Sequence, residues 1–170
     1  MFFVVVKQVF MKLNINHFMV TNLNHLVNQR INIDSYFPLT YGLTKANLPL
    51  IPVKIQDKNL CLLLDTGSNI NMIDTAVYEY FKDISEQAGE FTHFGIEGNK
   101  EQSITVKIPF SFEGHNFNPV FSVVSLDKAF SKVQEESGIP IHGLLGNKFF
   151  IENGWIIDFD RLELYWSSNN

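Results

Sequence analysis

The sequence predicts a mainly β domain over residues 46–168, a closed barrel or folded-over sheet carrying one or two short helices. Three observations carry that expectation. From residue 48 onward the chain is a series of short apolar runs separated by polar turn clusters. The stretch 101–112 alternates strictly, with Ile104, Val106, Ile108, Phe110 and Phe112 on one side; this is the period of a half-buried strand. The apolar run 60–64 ends directly on Asp65-Thr66-Gly67, so a strand delivers a carboxylate into a glycine-bearing turn.

The elements follow in order. Residues 48–55 and 60–64 flank Gln56-Asp57-Lys58-Asn59 and read as a β-hairpin. Asp74-Thr75 precedes Ala76, Val77, Tyr80 and Phe81, a cap residue before a short amphipathic helix. The alternating strand 101–112 turns at Glu113-Gly114, and 117–124 returns as its partner. Residues 126–133 suit a short helix and 139–145 a strand. Residues 147–152 form a further short helix, stopped by Asn153-Gly154. A last hairpin joins 155–159 to 162–166 around Asp160-Arg161. Residues 2–41 differ: they are rich in Asn and weakly periodic. Residues 1–45 are therefore expected to be an N-terminal extension, poorly ordered or resembling a pro-segment.

Bulk properties exclude several classes of function. The formal net charge is −5, which argues against nucleic acid or an anionic membrane as partner, since both need a cationic face. Cys61 is the single cysteine, so no internal disulfide and no thiolate metal set can form. It suits a small buried apolar position. The five histidines show no metal-ligand spacing. His142, next to Gly143, lies nearest the expected core and is the one that could tune behaviour with pH. There is no phosphate-binding loop, no dinucleotide fingerprint and no serine-nucleophile elbow. No apolar run approaches a membrane span, and the start lacks the features of an export signal. The expectation is a cytoplasmic protein without metal or other cofactor.

Chemistry concentrates at Asp65. A charge at the end of a buried strand is costly unless hydrogen-bonded. Gly67 lets the backbone turn tightly and approach another group. An Asp at a strand end is also a common turn residue, and Asp-Thr-Gly is short enough to arise by chance. Context separates the two readings: a hairpin precedes the motif, and Leu144-Leu145-Gly146 lies far downstream, entering a short helix.

Residues 61–68, Cys-Leu-Leu-Leu-Asp-Thr-Gly-Ser, resemble the active-site strand and loop of retropepsin-like aspartic proteases. Gly143-Leu144-Leu145-Gly146-Asn147 resembles the motif that lies beneath that loop. The hairpin 155–166 is similar to the closing hairpin of the family's cellular and bacterial members. Phe94-Gly95-Ile96-Glu97-Gly98 falls where its flap would be. The resemblance spans residues 48–166. One departure stands out: Asn71, beside Met72, occupies a place where the family often has Ser or Thr.

The resemblance implies a half-site. One Asp65 per chain implies a homodimer with two such carboxylates across a two-fold axis. They would share a proton, activate a water and polarise the scissile carbonyl of an extended peptide. It also implies roles for the neighbours. Thr66 locks the two loops together, Gly67 lets the backbone pass close to substrate, and Ser68 hydrogen-bonds the outer carboxylate oxygen. Phe94, Gly95, Ile96 and Gly98 form the flap, while Leu144, Leu145 and Gly146 support the site from below. The expected activity is that of an aspartic endopeptidase. Two alternatives share the sequence: a catalytically silent dimeric module that holds a peptide without cutting it, and an assembly protein acting through its N-terminal segment.

Overall fold

The structure, a computed structural model, describes residues 35–94 and 100–166. All belong to one compact unit, Ile33–Asn170. Its first strand, β1 (Ser35–Pro38), pairs antiparallel with the last, β12 (Glu163–Trp166), in the register Ser35↔Trp166 to Pro38↔Glu163. Leu39 follows, fully buried, and its N–H donates to Leu162 O at 2.8 Å. Helix α1 (Thr40–Ala46) comes next. Its Gly42 passes so close to Leu48 O and Leu50 that an added Cβ would sit 2.7–2.8 Å from them. Residues 35–45, expected in the extension, are thus strand and helix of the domain. The expectation for residues 1–34 lies outside the described residues.

β2 (Leu50–Ile55) and β3 (Lys58–Asp65) form the expected hairpin. Its loop is only Gln56-Asp57, with Gln56 at φ 52°, so the ladder continues through Lys58 and Asn59. β4 (Asn71–Asp74) leads into α2 (Thr75–Tyr80), and Asp74 caps it as expected, accepting from Ala76 N at 2.8 Å. The second oxygen of Asp74 accepts from Leu126 N at 2.9 Å, which satisfies a nearly buried carboxylate twice. After a 3₁₀ turn at Lys82–Ile84 comes the hairpin of β5 (Glu86–Phe94) and β6 (Lys100–Lys107), with a bulge between Gln87 and Gly89.

The two strands expected at 101–112 and 117–124 are each two strands. β6 stops at Lys107, and β7 (Phe110–Phe112) leaves it to pair with β2. β8 (His115–Phe117) pairs with β7 across Glu113-Gly114, whose φ values of 48° and 80° suit a tight hairpin. β9 (Val120–Val124) returns to β6. The breaks fall at Pro109 and Pro119, which have no N–H to give a ladder. The alternation itself holds through the break: Val106, Ile108, Phe110 and Phe112 are all buried.

Helix α3 (Asp127–Ser137) ends at Gly138 with φ 73°. β10 (Gly143–Gly146), α4 (Asn147–Asn153), Gly154 at φ 62° and β11 (Ile156–Asp158) follow. One sheet has the order β1-β12-β11; the other runs β5-β6-β9-β4-β10-β3-β2-β7-β8. This is the mainly β, folded-sheet class expected, with four short helices among the described residues rather than one or two.

β10 sits near the middle of the nine strands and is buried on both faces. Leu145 enters the main core with Leu62, Leu64 and Ile73. Leu144 enters a second cluster with Leu50, Leu63 and Ile141, covered by Phe130 and Val133 of α3. An aromatic group closes the main core: Trp155 stands edge-on to Phe149 at 4.9 Å, and Phe112 lies within 5.1–5.4 Å of Phe37, Trp155 and Trp166. It joins the small sheet to the large one.

Leu145 is fully buried while Ile151 is 81% exposed. Leu145→Ala is expected to cost about 2–5 kcal/mol and Ile151→Ala less than about 0.5 kcal/mol. Urea midpoints at constant slope would measure both.

Candidate active site

β3 carries Asp65 out of the core. Leu62, Leu63 and Leu64 are buried, whereas Asp65 is half-buried and Gly67 exposed. Backbone donors surround the turn. Gly67 N donates to Asp65 Oδ1 at 2.9 Å, and Ser68 N donates to Asp65 O at 3.2 Å. The carboxylate is thereby oriented by its own loop while one side remains open to solvent.

The loop is braced from below. β10 pairs parallel with β3, placing Gly146 opposite Asp65, and antiparallel with β4. Asn147, the first residue of α4, holds the loop twice: its backbone N donates to Ser68 O at 2.8 Å and its Nδ2 to Thr66 O at 2.6 Å. Gly146 passes so near the loop that an added Cβ would lie 2.5 Å from Ile70 O and 2.8 Å from Ser68 O. Gly143 is as tight, with Met72 O at 2.6 Å. These glycines are required by close approach of backbone to backbone.

Ser68 and Asn71 both make contacts that the sequence did not indicate. The Ser68 hydroxyl gives its single proton to Ile70 O at 2.8 Å and accepts from Ile70 N at 3.2 Å, so it closes a local turn instead of reaching the Asp65 carboxylate. Asn71, a departure at the sequence level, is a cross-brace: Oδ1 accepts from Gly146 N at 2.9 Å and Nδ2 donates to Val120 O at 3.0 Å. It ties β10 to β9 beneath the loop. Asn147 had no signal in the sequence beyond its place after Gly146. Of the flap residues, Phe94 ends β5 opposite Lys100; Gly95, Ile96 and Gly98 lie outside the described residues.

Behind the site, His142 is stitched to β3 and β4. Cys61 N donates to His142 Nδ1 at 2.9 Å, His142 N to Cys61 O at 2.9 Å, and Asp74 N to His142 O at 2.9 Å. The ring borders a hollow of about 300 Å³ with Leu60, Val77, Tyr80 and Phe81. Burial holds the imidazole below its usual 6.5, against the raising influence of the nearby Asp74 carboxylate. Burial also pushes the Cys61 thiol up to about 11, which leaves it an inert packing group at neutral pH. Among the described residues no cluster of His, Cys, Asp and Glu could hold a metal ion, and no helix is long and apolar enough to cross a membrane.

No protein-family profile and no curated protein matches the chain. Solved structures do. The EIAV protease complexed with the inhibitor HBY-793 is 21% identical, matching 62% of this chain and 86% of that one at a TM-score of 0.40. The retroviral protease-like domain of Ddi1 from Leishmania major is 10% identical over 71% of this chain and 95% of its own, at 0.46. A retropepsin-like aspartic protease from Rickettsia conorii is 16% identical over 69% and 80%, at 0.41. All three are retropepsin-like proteins.

Two outcomes are expected from this geometry. Gly146→Ala forces backbone apart under Asp65 and should cost about 1–3 kcal/mol by overpacking, measured by thermal or urea unfolding. The folded chain binds the His142 proton more weakly than the unfolded chain does. The associated stability is therefore present above pH 6.5 and lost as pH falls below it toward the folded value. His142→Asn, which keeps an acceptor but does not titrate, should flatten that part of the stability–pH curve relative to wild type.

Proposed function

We propose that the chain is a retropepsin-like aspartic endopeptidase that works as a homodimer. The observation that carries this reading is the setting of Asp65. A half-exposed carboxylate follows the buried Leu62-Leu63-Leu64 end of β3 on a loop held by backbone donors and by Asn147, with Gly146 packed directly beneath it. A turn residue with no chemical duty needs no such bracing.

In the dimer, each Asp65 faces its counterpart across the two-fold axis. Two carboxylates at that separation share one proton and titrate as a pair. The ionised member draws a proton from a water between them, and that water attacks the peptide carbonyl. The protonated member donates to the carbonyl oxygen and stabilises the charge that develops there. As the C–N bond breaks, the departing amine takes the proton drawn from the water, and a hydroxyl of the tetrahedral intermediate returns its proton to the other carboxylate as the carbonyl re-forms, so the dyad again holds one proton. Thr66 reaches the partner's loop, and Gly67 leaves room for an extended substrate. The β5–β6 hairpin covers that substrate and pairs with its backbone, with Phe94, Gly95, Ile96 and Gly98 as the flap residues the sequence suggests. No cofactor is required, because two oxygen acids supply both acid and base.

The test is a peptide library incubated with wild type and with Asp65→Asn at acidic to neutral pH, cleavage being read by mass spectrometry. Wild-type cuts that fall to background in Asp65→Asn are the expected result. A folded, dimeric wild type that cuts nothing at any pH would overturn it in favour of a silent peptide-binding module.

A further inference from the structure

The peptide unit between Thr66 and Gly67 is held at both ends. Its N–H donates to Asp65 Oδ1 at 2.9 Å, and its carbonyl accepts Asn147 Nδ2 at 2.6 Å. A trans peptide is planar, so its C=O and N–H point in opposite directions and fixing one fixes the other. We infer that Asn147 is a positioning residue for Asp65, acting through this one peptide plane. The inference rests on the proposed reading of Asp65 as the catalytic carboxylate.

The alternative orientation of this plane is close at hand. Gly67 has no Cβ and is exposed, so rotation of the plane meets little steric resistance and water can replace the lost bond. A rotated plane would aim the Thr66 carbonyl at the carboxylate in place of an N–H, putting a partial negative charge where a donor had been. Asn147 opposes that rotation from a rigid base. Its own backbone N is bound to Ser68 O at 2.8 Å, and Phe149 and Phe150 sink α4 into the core. Gly146, just before it, is held by Asn71 Oδ1. The bonds also run in series, from the Asn147 amide through the peptide to the carboxylate. Each polarises the next and strengthens the donor that Asp65 receives.

Three variants test this: Asn147→Ala, Asn147→Asp and, as a control on the same helix, the exposed Lys148→Ala. Asn147→Asp removes the donor but keeps a residue favoured in the first turn of a helix, so it guards against a folding failure of the alanine variant. Two readouts are taken across pH: peptide cleavage, and the Gly67 amide proton in ¹⁵N-glycine-labelled protein. In both Asn147 variants kcat should fall about tenfold while KM changes less than about twofold. The acid limb of the pH profile should move to higher pH. The Gly67 amide proton should shift upfield as its bond to Asp65 weakens, and Lys148→Ala should match wild type throughout. Folded Asn147 variants with a wild-type Gly67 resonance and an unchanged acid limb would overturn the inference. If wild type itself cuts nothing, the proposed function falls and the Gly67 resonance alone decides: an upfield shift upholds the positioning role, and an unchanged one removes it.

Discussion

The passage of β10 between β3 and β4 is the constraint on which the rest depends. Gly143 and Gly146 cross the neighbouring backbone where a Cβ would sit 2.5–2.6 Å from carbonyl oxygens of Ile70 and Met72. Between them, Leu144 and Leu145 point to opposite faces and fill two separate clusters. The strand is thus glycine where backbones meet and leucine where faces must be filled. That arrangement brings the start of α4 under the Asp65 loop, and with it the Asn147 amide.

The loop reaches its shape through backbone groups and two asparagines. Among the described residues no charged side chain is hydrogen-bonded to the Asp65 carboxylate, which accepts from the N–H of Gly67. Asn71 and Asn147 carry both a donor and an acceptor on a short, rigid amide, and each bridges segments that are distant in sequence.

Much of the fold was legible because the physical signals are local. The β2–β3 hairpin, the Asp74 cap, the Glu113-Gly114 turn and the Gly154 stop each arise from a few adjacent residues. β1 was not legible. Its four residues acquire strand character only by pairing with β12 at the other end of the chain. The breaks at Pro109 and Pro119 were printed in the sequence but were overridden by an alternation that continues straight through the first of them. Side-chain period reports which way residues face, and it is blind to a change of hydrogen-bonding partner.

For the site, the sequence alone determined that a carboxylate leaves a buried strand on a glycine turn and that Leu144-Leu145-Gly146 enters a helix. Both are matters of adjacency. Only the tertiary structure decided what holds that carboxylate. The Ser68 hydroxyl turned to Ile70, while Asn71 and Asn147 took up the bracing. An amide side chain looks the same in sequence whether it faces solvent or bridges two strands; its partners, 49 to 81 residues away, exist only once the chain has folded.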